Sequence, residues 1–76
     1  MDKINKLKEN LSNYYPKNNV TLLSVNDLHT VIVDGFILYE FMYNNHRDYN
    51  VMIDLKTNTE ISINTIEIIV DNYINK

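Results

Sequence analysis

Chemistry in a protein starts with titratable groups held close together, and two stretches of this sequence offer them. His29 and Glu40 flank an Asp34-Gly35 turn at matching distances, which sets an imidazole opposite a carboxylate if the two runs form a hairpin. Such a pair can exchange protons with a substrate. The sequence places no nucleophile or third group beside it, so the plainer reading is a cross-strand polar pair. His46-Arg47-Asp48 is the second stretch. It matches three letters of the protein-kinase catalytic loop, but the glycine-rich loop and the Asp-Phe-Gly motif are absent. His46 and Asp48 are also two metal-ligand types on one polar loop, too few for a metal site. No catalytic residue, cofactor or metal is expected, and the chain reads as a non-enzyme.

A third set is aromatic. Tyr39, Tyr43 and Tyr49 recur on alternate positions and could stack bases of a single strand. The lysines and arginines that such a platform needs are not beside them, so core packing with hydroxyls at the rim is the better reading.

These residues belong to a stretch from Leu28 to Leu55 that reads as a three-strand antiparallel meander. Asp34-Gly35 between two β-branched and aromatic runs is a strong hairpin signal, because both turn positions need positive φ. Gly35 is the only glycine of the chain. A two-residue turn pairs Val33 with Phe36, Val31 with Leu38 and His29 with Glu40. A loop over 44–48 then pairs Tyr43 with Tyr49 and Phe41 with Val51. Alternation gathers Leu28, Ile32, Ile37, Tyr39, Phe41, Tyr43, Tyr49, Val51, Ile53 and Leu55 on a face to be covered. The other face holds His29, Val31, Val33, Phe36, Leu38, Glu40, Met42, Asn50, Met52, Asp54 and Lys56. It is mixed and expected to be partly open.

Amphipathic helices flank the meander. Ile4, Leu7, Leu11, Tyr14 and Tyr15 recur at helical spacing from Asp2 to Tyr15, and Pro16 ends that helix. Val20–Val25 reads as a short edge strand. Glu60–Ile63 is a short strand or lead-in. Asn64 with Glu67 suggests a capping box, with Ile63 and Ile68 as a staple, ahead of the stripe Ile66, Ile69, Val70, Tyr73 and Ile74. The expected fold is a single-domain α+β two-layer sandwich, α-(β)-β-β-β-α, with both helices on one face of the sheet. Double-stranded-RNA-binding domains share this order. They present lysines at the start of the second helix, where this chain has Glu67 and then Asp71.

Composition narrows the function. The chain has 76 residues, no cysteine and a net charge of −3. A domain of this size buries only about 60% of its unfolded surface, so a partner or a second copy adds needed stability. Residues 1–33 carry four Lys against three acids, while residues 34–76 carry three Lys or Arg against seven acids. That acidic half disfavours nucleic acid as a ligand. No run approaches the roughly 20 apolar residues of a membrane span. The first residues lack the apolar core of a signal peptide, so the cytoplasm is the expected compartment and no membrane partner is expected. The abundance of Asn, Ile, Lys and Tyr suits A/T-rich codons, as in a low-GC bacterium, its phage or a mobile element.

The expected function is a small, acidic protein-interaction module, an accessory protein that binds and modulates a host protein, for example as an inhibitor. Its binding surface would use Val31, Val33, Phe36, Leu38, Glu40, Met42, Met52 and Asp54, an apolar patch with a polar rim. Two alternatives stand beside it. One is a homodimer in which the patch pairs with itself. The other is a nucleic-acid binder using Lys3, Lys6, Lys8 and Lys17.

Overall fold

A computed structural model describes the backbone of residues 3–46 and 49–76, and their side chains outside 44–50. The element order is α1 (Lys3–Tyr14), β1 (Val20–Val25), β2 (Leu28–Val33), β3 (Phe36–His46), β4 (Tyr49–Asp54), β5 (Glu60–Ile61) and α2 (Ile63–Ile74). The five strands form one antiparallel meander in the order β1-β2-β3-β4-β5. Both helices pack on the same side of it, which makes the α+β two-layer sandwich expected from the sequence. The run from Val20 is a full six-residue strand, and Glu60–Ile61 adds a short fifth.

Turn chemistry sets the meander. Asp34 and Gly35 both take positive φ, 51° and 88°, as a two-residue hairpin turn requires. Asn26, also at positive φ, opens the two-residue turn between β1 and β2. The Asp34 carboxylate reaches back to the segment leading into β1. It accepts from the Asn19 backbone N–H at 3.0 Å and from Asn18 Nδ2 at 3.1 Å. Those bonds, the Asn19 one foremost, hold its pKa below the ordinary 3.8.

The register departs from simple alternation at one point. Val33 pairs with Phe36 and Ile32 with Ile37, but Val31 pairs with Tyr39, so β3 carries one extra residue at Leu38. A bulge sends two successive side chains to one side. Leu38 and Tyr39 both pack against the core. Beyond the bulge every β3 residue is displaced by one, and His29 faces Phe41 while Glu40 faces Thr30. The second hairpin is also longer than expected, with Phe41 opposite Asp54 and Tyr43 opposite Met52.

These two shifts decide the core. The β3 aromatics Phe41 and Tyr43 face the helices, as expected. Because of the bulge they share that face with His29, Val31 and Val33 rather than with Leu28 and Ile32. The odd-numbered shift in the second hairpin brings Met52 to the same side. Ile4, Leu7 and Leu11 from α1 and Ile66 and Val70 from α2 close over them.

Polar bonds fix the helices to each other. Asn10 Nδ2 donates to Glu67 Oε1 at 3.1 Å, and the Tyr15 hydroxyl donates to Asp71 Oδ1 at 3.0 Å. Burial, and then the Asp71 carboxylate, push the Tyr15 hydroxyl up to about 12. The N-cap of α2 is Ser62, whose Oγ accepts from the Thr65 backbone N–H at 3.2 Å. It replaces Asn64, because the helix begins two residues earlier than the capping-box pattern implied. Glu67 is free to bond Asn10 instead of closing a cap.

Candidate functional site

The side of the sheet away from the helices is built from three cross-strand rows. One runs Val25, Leu28, Met42, Ile53 and Glu60. The next is Leu23, Thr30 and Glu40, and the third is Thr21, Ile32 and Ile37. Each row lies on one face because directly paired residues point the same way. Neither helix covers these rows. Leu23 is 52% exposed, Val25 58%, Ile37 65% and Met42 44%, far more than large apolar side chains ordinarily keep. Ile32 and Ile53 are half-buried within the rows, and Val51, paired with residue 44, is half-buried beside the first row. The only charges in the three rows are the carboxylates Glu40 and Glu60.

The eight residues expected to line the open face divide between the two layers. Val31 and Val33 are fully buried and Met52 is 2% exposed, so all three belong to the core. The expectation of an open position fails for them because of the bulge at Leu38 and the shifted second hairpin. Leu38 is half-buried against the core. Asp54 shares a row with Phe41 on the helix side. Glu40 and Met42 do lie on the open face. Phe36, 70% exposed, projects beside the hairpin tip. In return, Leu23, Val25, Leu28, Ile32 and Ile37 enter the open face unannounced by the sequence reading.

The titratable pairs are placed differently from expectation as well. His29 does not face Glu40. Its ring is buried, stacks on Phe41 with centroids 5.3 Å apart, and lies 6.3 Å from the Tyr43 ring. Ser24 Oγ lies 2.7 Å from His29 Nδ1, a contact that lets an imidazole sit among aromatic rings. Tyr39 and Tyr43 pack into the core layer instead of forming a platform. The side chains of His46 and Tyr49, and all of Arg47 and Asp48, lie outside the described residues. Among the described residues no group of three or more His, Cys, Asp or Glu could hold a metal ion.

A polar corner borders the open face. The Tyr39 hydroxyl donates to Asp54 Oδ2 at 2.5 Å, and Asp54 Oδ1 accepts from the Lys56 backbone N–H at 2.7 Å. The Tyr39 bond is the main reason the Asp54 carboxyl is held below 3.8. Burial, followed by that bond, raises the Tyr39 hydroxyl well above 10.0. Since β4 stops at Asp54, residues 36–40 of β3 have no paired strand on that side. A cleft of about 320 Å³ opens there between residues 37–40 and 54–56.

Lys6, Lys8 and Lys17 are exposed, on α1 and on the segment after it. No helix of the described residues is long and apolar enough to cross a membrane. No family model, curated protein or solved structure matches the chain.

Proposed function

We propose that the protein is a non-enzymatic interaction module that binds a protein partner through the helix-free face of its sheet. One observation carries this reading. Leu23, Val25, Leu28, Ile37 and Met42, all exposed, form neighbouring positions of one face instead of being scattered singly. Contiguous apolar surface of this kind marks an interface. Met42 adds an unbranched side chain that adapts to a partner's relief.

The face also selects the partner by charge. Its three rows contain Glu40 and Glu60 and no basic residue. A partner surface with an apolar centre and lysines or arginines at its rim is complementary, and the acidic excess of residues 34–76 guides its approach. The A/T-rich coding composition and the small size support an accessory protein of a phage or mobile element, with a host protein as target and inhibition as its mode of action.

The test is a photo-crosslinking residue at position 42, in a low-GC bacterial lysate, compared with the same residue at position 6 on α1. The reading predicts a discrete crosslinked protein from position 42 alone, lost when Ile37→Lys is added. Equal crosslinking from both positions, or a product indifferent to Ile37→Lys, would refute it.

A further inference from the structure

A strand at the edge of a sheet presents unpaired N–H and C=O groups, and proteins ordinarily protect such edges. Among the described residues this sheet has three free edges, and it treats them differently. The strand β5 is only two residues long. The free part of β3 is broken by the bulge at Leu38, which spoils the regular spacing a new strand needs. The strand β1 has neither defence. It runs six residues, Val20-Thr-Leu-Leu-Ser-Val25, in unbroken register with β2, and contains no charge, no proline and no bulge.

The edge of β1 is also reachable. The helix α1 packs against β1 and leaves a groove of about 250 Å³ beside it, lined by Lys8, Leu11, Ser12, Val20, Thr21 and Leu22. The hairpin register tells which groups point outward. Val25 and Leu28 flank a two-residue turn and bond each other, so Val25, Leu23 and Thr21 direct their backbone groups toward β2. Val20, Leu22 and Ser24 direct theirs away from the sheet.

We infer that β1 pairs antiparallel with β1 of a second copy, joining two five-stranded sheets into one of ten strands. Outward groups must meet outward groups. The centred register that does this places Leu22 opposite Leu22 of the second copy and Val20 opposite Ser24, closing about six backbone hydrogen bonds. Each strand meets an identical uncharged strand, so no like charges are opposed within it. The centre of the pairing is Leu22, the most buried residue of the strand, so the two-fold axis passes through an apolar position. Pairing through the face itself would instead bring Glu40 and Glu60 of one copy toward those of the other. The edge pairing leaves the apolar faces of both copies open and contiguous, as a single surface twice as wide.

The experiment is sedimentation equilibrium on the full chain at several concentrations, with amide hydrogen exchange by NMR at the two extremes. The inference predicts a mass rising from 9.0 kDa to about twice that value. Exchange at Leu22 and Ser24 should slow about tenfold or more in the concentrated sample, because those amides become bonded across the new edge. Leu23→Lys should keep the chain monomeric, while Ile37→Lys, on the same face but away from the edge, should leave the dimer intact. Thr21→Lys serves the same purpose should Leu23→Lys not fold. A chain that stays at 9.0 kDa throughout would overturn the inference. So would a dimer whose Leu22 and Ser24 amides exchange as in the monomer, or one broken by Ile37→Lys and not by Leu23→Lys, which would mark a face-to-face contact.

Discussion

The chain has two phenylalanines, five residues apart on the same strand, and the structure gives them opposite roles. Phe41 is fully buried between the His29 and Tyr39 rings, with centroids at 5.3 and 6.3 Å. Phe36 is 70% exposed beside the hairpin turn. Phe41→Ala removes a whole buried ring and leaves a cavity in a small core, a loss of about 3–5 kcal/mol. A domain of 76 residues has about 4–11 kcal/mol of stability in total, so this one change removes a large share of it. Phe36→Ala withdraws less than a third of a side chain from contact, and should cost under about 1 kcal/mol. Urea unfolding followed by circular dichroism at fixed protein concentration reads both. With a slope near 1 kcal/mol per molar urea for so small a chain, Phe41→Ala should lower the midpoint by about 3 M or leave the chain unfolded. Phe36→Ala should shift it by less than about 1 M. Equal shifts, or a larger shift for Phe36→Ala, would refute the burial assigned to the two rings.

Three further outcomes follow from the same geometry. Ser62→Ala should cost about 1 kcal/mol in urea unfolding through loss of the α2 cap, while Asn64→Ala stays within about 0.5 kcal/mol, reversing the order that the capping-box pattern suggests. Ser24→Ala should cost about 1–3 kcal/mol, because it strips the hydroxyl from the buried imidazole of His29. The Tyr39–Asp54 pair should act at both ends of the pH scale. Asp54, held below 3.8 mainly by the Tyr39 hydroxyl, contributes stability above 3.8 that is lost as pH falls through its lowered value, and Asp54→Asn should remove that acid-side loss. Tyr39, raised by burial and then by Asp54, contributes stability below 10.0 that is lost as pH rises through its raised value, and Tyr39→Phe should remove that alkaline loss. Unfolding curves taken across both ranges check each sign.

Much of the fold is legible in the residues themselves. Asp34-Gly35 announces its turn because few residue pairs accept two positive φ angles in succession. Ile4, Leu7 and Leu11 announce the buried stripe of α1 by spacing, and Ile66 and Val70 do so for α2. The make-up of the open face was far less legible, and the reason is one residue. Leu38 is apolar, as are its neighbours Ile37 and Tyr39, so nothing in the pattern marks where the extra residue of a bulge sits. Yet that residue decides whether Phe41 shares a face with Leu28 or with His29. The second hairpin repeats the problem, since Asn44 and Asn45 suit a loop by type but extend the strand in fact. The strand Val20–Val25 was legible but its facing was not: Thr21, Leu23 and Val25 alternate with Val20, Leu22 and Ser24, and both sets are mostly apolar, so alternation alone could not say which faces water. The Ser24–His29 contact was invisible for a related reason, since it joins strands whose pairing was not assumed.

The uncovered face is the claim on which the proposed function stands, and two methionines test it most directly. Met42 and Met52 share one side in simple alternation, but the structure separates them, Met42 at 44% exposure and Met52 at 2%. Timed oxidation of the native protein with dilute peroxide, followed by peptide mass analysis, compares their rates. The account predicts that Met42 reacts at nearly the rate of the unfolded chain while Met52 is protected until the protein unfolds. Equal rates, or faster oxidation of Met52, would contradict it.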